Sequence, residues 1–388
     1  MSKKFSKIVY VTSTRMPTEK AHGLATVKLA EAIASLGSEV DIICPKLWRK
    51  NNKNTFDYYG VKNNFKIIKV WVIDLMPLKF FEKFLFLIQV LTFSLFSTFY
   101  CLFKYWREDV IYFSHDYIPL YFLTFISKNV FYDIHHYPGN NFMYKRLMSK
   151  AFAFAVQTRW KIKELNKDFN IDESKIVYWP NGTDVDQYNI ALSKFDVRNK
   201  LNLPQDKKIV LYTGQLFDWK GGDTLIRSIT KLNEDAIIYI VGGAKNDVER
   251  LKNNIPDAND ERVVFIPFQS REKMPLWMKA ANVLVIPNTG KQKVSLYYTS
   301  PMKLFEYMAS NRPIVASKLP SIMEVLHETN ALLIEPEDVS ALRAGITFVF
   351  NNQEESNRRA EEGKRTVVKY TWEKRGASIA DFIHGYSA

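Results

Sequence analysis

A chain of 388 residues that is 47% hydrophobic and 24% charged, without a low-complexity tract, excludes a disordered or fibrous polypeptide and has room for two domains of ordinary size. Its two cysteines, Cys44 and Cys101, are too few and too far apart for a disulfide framework or a thiolate metal site, which fits a reducing cytoplasm. The net charge of +13 is uneven: residues 1–183 hold 26 Lys and Arg against 15 Asp and Glu, and the remainder 28 against 26.

The opening residues are basic, and their one short apolar run, residues 8–12, reads as a first strand rather than a secretory signal. A loop with Pro17 follows. Residues 24–36 have helical periodicity and stop at Gly37, and residues 40–44 form the next strand. A strand–helix–strand unit of this kind implies parallel pairing and a doubly wound sheet. Further strands are expected at 67–72, 110–113, 130–134, 153–157 and 176–179. The second half repeats the theme, with strands at 209–213, 237–241, 263–266, 283–286 and 314–316. Helices are expected between them at 223–232, 247–253, 274–280 and 301–309. A polar join lies around residues 181–204. The expected fold is therefore α/β, with two Rossmann-like domains facing a central cleft. The amino-terminal domain spans 1–183 and the carboxyl-terminal one 184–371, and a final helix over 372–388 packs back towards the first.

Residues 84–103 stand apart: twenty residues without a charge, long enough to cross a bilayer. A core helix, a membrane-interface helix and a transmembrane helix are the three readings. A single span would put the strands at 8–12 and 110–113 on opposite sides of the membrane, where one sheet could not contain both. The flanks Lys79, Lys83, Lys104 and Arg107, with Tyr105 and Trp106, suit a helix resting on anionic headgroups. The expectation is core packing on one side and peripheral contact with an anionic membrane on the other. The basic half agrees with an anionic partner, and no nucleic-acid-binding module is recognisable.

Residues 297–317, YYTSPMKLFEYMASNRPIVAS, read as loop, helix and buried strand in succession. Ser300 is expected as N-cap and Pro301 at the first helical position, with Asn311 and Pro313 closing the helix. Spare amides at its start and the carboxylate of Glu306 would suit a nucleotide's phosphate and ribose; the plainer reading is an amphipathic helix with one solvated Glu. Residues 212–222, YTGQLFDWKGG, follow a strand and open a helix, with Lys220 placed for a diphosphate or simply exposed on a turn. Asp184-Val185-Asp186 spells a metal-binding pair, but a turn with Gly182 at positive φ is the preferred reading.

The order of these motifs, with Val241-Gly242-Gly243 between them, resembles the carboxyl half of glycosyltransferase family 4. The amino half is similar as well: Ala21-His22-Gly23-Leu24, the FYDIHHYP stretch at 131–138, Pro180-Asn181-Gly182-Thr183-Asp184, and Tyr370-Thr371-Trp372-Glu373 with Arg375 beyond. The resemblance implies a GT-B architecture, a nucleoside-diphosphate sugar as donor, retention of anomeric configuration, and neither a metal nor another cofactor; with the basic half and residues 84–103, the expected acceptor is lipid-linked or a polysaccharide in cell-envelope glycan synthesis. It implies catalytic roles for His135, Lys220 and Glu306. Donor contacts would come from Gly23, Gly214, Gln215, Lys220, Gly242, Met302, Lys303, Leu304 and Glu306, with His22 and His136 on the acceptor side. Two positions depart from the family pattern. Gln215 stands where an Arg is frequent and Tyr298 where a Glu is common, and Lys303 offers a replacement charge. A non-catalytic nucleotide- or glycan-binding scaffold and a nucleotide-sugar epimerase are the alternatives. The implied location is the cytoplasm, at the inner face of the membrane.

Overall fold

The computed structural model describes residues 7–48, 53–75 and 81–386; the flank at Lys79 and the basic residues before Lys7 lie outside them. The chain forms two compact units, Met1–Pro180 with Trp372–Ala388, and Asn181–Thr371.

The amino unit holds β1 (Lys7–Val11), β2 (Glu39–Lys46), β3 (Lys66–Trp71), β4 (Val110–Ser114), β5 (Val130–Ile134), β6 (Ala153–Val156) and β7 (Ile176–Tyr178). They make one sheet in the order β3-β2-β1-β4-β5-β6-β7, every pairing parallel. Strand order reverses at β1, which pairs with β2 on one side and β4 on the other. β4 and β5 are buried along their whole length, because helices cover both faces and alternation with polar residues is not needed. The final helix, Trp372–Tyr386, packs on the first, Ala21–Ser35. A Cβ on Gly376 would stand 2.7 Å from that of Ala32, so the two helices meet at van der Waals distance only with glycine there.

The carboxyl unit repeats the design with β8 (Lys208–Thr213), β9 (Ala236–Val241), β10 (Val263–Ile266), β11 (Val283–Ile286), β12 (Ile314–Ser317) and β13 (Leu332–Ile334). The order is β10-β9-β8-β11-β12-β13, again parallel, with the reversal between β8 and β11. Successive strand residues serve opposite cores. Ile209, Leu211, Leu284 and Ile286 pack with Leu304, Phe305 and Met308 on one face, while Val210, Tyr212, Val283 and Val285 pack with Leu342 and Ile346 on the other.

The α/β, doubly wound reading of the alternating signals holds in both units. Two local expectations are corrected, and two elements that the sequence did not announce are present. The stretch expected as one helix over 223–232 is a short helix, Gly222–Arg227, followed by a 3-10 turn, Ile229–Lys231. The polar join contains a helix, Lys194–Lys200, started by a capping box between Ser193 and Asp196. β13 has only three half-buried residues at the sheet edge, too short for an apolar run to announce it. Gly182 is absent from the described residues with positive φ. The next residue, Thr183, bridges Thr371 and donates its amide to the Tyr370 carbonyl.

Candidate functional site

Doubly wound sheets bind ligands beyond the carboxyl ends of their strands, where strand order reverses. Each unit has one such point, and the sequence-predicted residues divide between them.

In the carboxyl unit the loops leaving β8 and β11 meet. Gly221 has φ +67° and a Cβ there would lie 1.7 Å from the Pro287 carbonyl oxygen, so only glycine lets the β8 loop cross the end of β11. Gly242, at φ +111°, lets the β9 loop pass Gly214 in the same way. The Gln215 carbonyl accepts a hydrogen bond from the Tyr212 hydroxyl at 2.7 Å. Above this glycine floor stand two lysines. Lys220 is half-buried, and burial lowers its pKa to about 8. Lys303 is 8% exposed and its Nζ has no hydrogen-bond partner among the described residues. It lies 3.6 Å from the centroid of the Tyr212 ring. Burial pushes its pKa well below the ordinary lysine value, and Lys220 pushes the same way. A buried ammonium held only against a ring face is costly unless an anion completes it. Asn288, directly after β11, is 1% exposed, with neither its amide nitrogen nor its oxygen hydrogen-bonded among the described residues.

The helix Met302–Ala309 carries Glu306. Its start differs from expectation. Pro301 is the N-cap, and Ser300 does not cap: its hydroxyl accepts from the Asn181 amide at 3.0 Å, and its carbonyl accepts from the Asn181 side chain at 2.6 Å. The Leu304 amide is already bonded to the Pro301 carbonyl at 3.0 Å, which corrects its assignment to a phosphate. The amides of Met302 and Lys303, in the first turn, have no acceptor one turn earlier in the helix. Glu306 is half-buried and receives a hydrogen bond from the Tyr188 hydroxyl. Burial raises its pKa, with Arg271 and Tyr188 opposing.

In the amino unit the reversal lies between β1 and β4. Asp116, after β4, accepts from the Thr12 hydroxyl, the Ser13 amide and the Ser13 hydroxyl at 2.9, 2.7 and 3.0 Å. His115 bonds the Tyr10 hydroxyl at 2.8 Å, stacks on His135 with ring centroids 5.0 Å apart, and lies 5.9 Å from the ring of His22. Behind this row His135 Nε2 is 3.0 Å from Asp133 Oδ2, which also accepts from Arg375 at 2.9 Å. Gln157 donates to the other oxygen of Asp133, and the fully buried Lys161 donates to Gln157 and to the carbonyls of Ile134 and His135. Although burial opposes it, Arg375 and His135 hold the Asp133 carboxyl well below the usual carboxylate range. Burial lowers His135 to about 4, only partly offset by Asp133, and lowers His22 to about 4 with His115 adding to the effect. Both imidazoles are therefore neutral at pH 7. His135 donates from Nε2 to the carboxylate and keeps a lone pair on Nδ1. His136 is exposed and outside this row. Gly23 has a packing reason of its own: a Cβ would meet Thr18 at 2.3 Å and the Tyr59 hydroxyl at 2.5 Å.

Asp184 is the N-cap of the 3-10 turn Val185–Tyr188 and accepts from Gln187 at 2.6 Å. Among the described residues no group of three or more His, Cys, Asp or Glu is placed to hold a metal. Sequence reasoning missed His115, Asp116, Asp133, Gln157, Lys161, Tyr188 and Asn288. Polar residues directly after or within fully apolar strands were the available signal for Asp116, Asp133 and Asn288.

Comparison with known proteins places this geometry. Residues 193–366 match the family described as glycosyl transferases group 1. The putative colanic acid biosynthesis glycosyl transferase WcaI of Escherichia coli is 26% identical over 201 residues, which are 50% of this chain and 48% of WcaI. The chain spans about half the length of the curated relatives it matches. The likeness of fold covers nearly all of it. Sucrose-phosphate synthase from Thermosynechococcus elongatus superposes with a TM-score of 0.79 at 18% identity, over 98% of this chain and 99% of that one. Anabaena Alr3699/HepE, solved in complex with UDP-glucose, superposes with a TM-score of 0.73 at 14% identity, over 97% of this chain and 99% of that one. The fold is GT-B.

Proposed function

We propose that this chain, a member of the group 1 glycosyl transferases by its residues 193–366, moves a sugar from a nucleoside-diphosphate donor to a lipid-linked or polysaccharide acceptor in cell-envelope glycan synthesis. The observation that carries the reading is Lys303, a buried lysine whose Nζ has no hydrogen-bond partner among the described residues, beside Lys220, whose pKa burial also lowers. Two such cations over a glycine floor favour a diphosphate, and they favour it more as the leaving group gains charge. Glu306, already accepting from Tyr188, offers its carboxylate to the ribose hydroxyls. Neutral His135 offers the Nδ1 lone pair as an acceptor for a sugar hydroxyl. Retention of configuration and independence from metal complete the proposal on the strength of the family resemblance. Colanic acid synthesis in the name of WcaI supports an envelope-glycan acceptor.

Transfer from a panel of nucleotide-sugars, read by product mass, tests the reading. Lys220→Ala is expected to lower the rate by about a hundredfold or more. Donor binding with no transfer by the unaltered protein would replace the enzyme with a scaffold. Sugar isomerisation without any acceptor would make it an epimerase.

A further inference from the structure

The helix Glu82–Lys104 is apolar on both faces, with Leu85, Val90, Phe93 and Cys101 buried on the inner one. Gln89, Ser94 and Ser97 are among its buried residues, with the hydroxyls of Ser94 and Ser97 turned back onto the helix's own carbonyls of Val90 and Ser94. To solvent it presents Phe84, Leu87, Leu95, Phe96, Phe99 and Phe103, between 40% and 75% exposed. A surface helix ordinarily keeps its outer face polar, and an exposed apolar face of this length marks a partner.

The chemistry of the face selects that partner. The most exposed side chains on it are hydrocarbon alone, and the part-exposed hydroxyls of Thr92 and Thr98 are turned onto the helix's own carbonyls, whereas a protein interface carries about one hydrogen bond per 100–200 Å². Exposed cations stand at both ends of the helix, Lys83 beside Glu82 at one and Lys104 and Arg107 at the other, where Glu108 is bound by Lys7 at 2.7 Å and Trp106, 69% exposed, lies beneath Arg107. Two copies paired along this face would bring together two amino halves that each carry 26 Lys and Arg against 15 Asp and Glu. Anionic headgroups meet them with opposite charge. Phe125 and Phe142, 58% and 69% exposed, follow and begin the next two helices of the same unit, so the apolar surface does not end with the helix. The helix is long and apolar enough to cross a membrane, but it joins β3 to β4 of one sheet and cannot pass between them through a bilayer.

We propose that the helix Glu82–Lys104 is a docking face that lies in the plane of a bilayer bearing anionic lipid, its aromatic row in the acyl boundary and its terminal cations among the headgroups. This stands apart from the transfer reaction and is tested without it. The full chain is floated with vesicles of phosphatidylcholine alone and with added phosphatidylglycerol. Binding is expected with the anionic vesicles and is expected to weaken with salt. Changing Lys83, Lys104 and Arg107 together to Gln should weaken it by about a hundredfold. The double variant Phe96→Glu, Phe99→Glu, on exposed positions, should remove it while circular dichroism and thermal unfolding stay those of the unaltered chain. Absence of flotation with anionic vesicles at low salt would overturn the proposal. So would flotation untouched by the Phe variants, or a dimer in lipid-free solution that those variants disperse while no vesicle is bound.

Discussion

The two units share a doubly wound sheet, yet the points where their strand order reverses are in opposite electrostatic states. In the amino unit the Asp133 carboxylate is bonded to Arg375, Gln157 and His135, and Asp116 accepts three hydrogen bonds. In the carboxyl unit Lys303 and Asn288 are buried without hydrogen-bond partners among the described residues. A satisfied buried network rigidifies what it holds; an unsatisfied one waits for a ligand to supply the missing charge. The amino unit thus holds its imidazoles in a satisfied network, whereas the carboxyl unit leaves Lys303 and Asn288 without one, as the proposed anion site requires.

Removing one charge from each point should break the comparison in opposite directions. Arg375→Ala leaves the Asp133 carboxylate buried without its cation and should cost about 3–5 kcal/mol, read by urea unfolding of the full chain. Because the folded pKa of Asp133 is lowered, its stabilising contribution is present above the unfolded carboxylate value and is lost as pH falls through the folded one. The variant should therefore lose most at neutral pH and least in acid. Lys303→Met removes a buried ammonium that has no counter-charge bonded to it, and should raise stability by about 1–2 kcal/mol while weakening nucleoside-diphosphate binding. The sign follows from the lowered pKa. The penalty is full below the folded value and disappears as pH rises towards that of an unfolded lysine. Equal destabilisation by the two variants would contradict the contrast. A smaller effect is expected of Glu306→Gln, which keeps the shape and the Tyr188 contact; affinity for a nucleoside diphosphate should fall by about tenfold, with less loss for the 2′-deoxy compound.

Much of this was legible in the chain because parallel strands buried on both faces are continuous apolar runs, and because Lys220 shares one short glycine-bearing stretch after β8, and Lys303 with Glu306 another before β12. Where the reading failed, the cause was distance or local competition. Asp133 and Arg375 are 242 residues apart, and no periodicity links them. Ser300 has the composition of an N-cap, but Asn181 claims its hydroxyl and Pro301 takes the position. Glycine at 23 is explained by Thr18 and Tyr59, neighbours that only the folded chain brings together.

The central claim is that the carboxyl unit holds a preformed anion site whose cations are partly discharged while it is free. It is tested most directly by titrating UDP and GDP into the protein at pH 8 in buffers of different ionisation enthalpy. Lys220 titrates at about 8 and Lys303 is lowered beside it, and an anion raises both. Whichever nucleotide binds should therefore take up about one proton, with affinity falling as pH rises through about 8. Binding without proton uptake, or no binding by either nucleotide, would contradict the account.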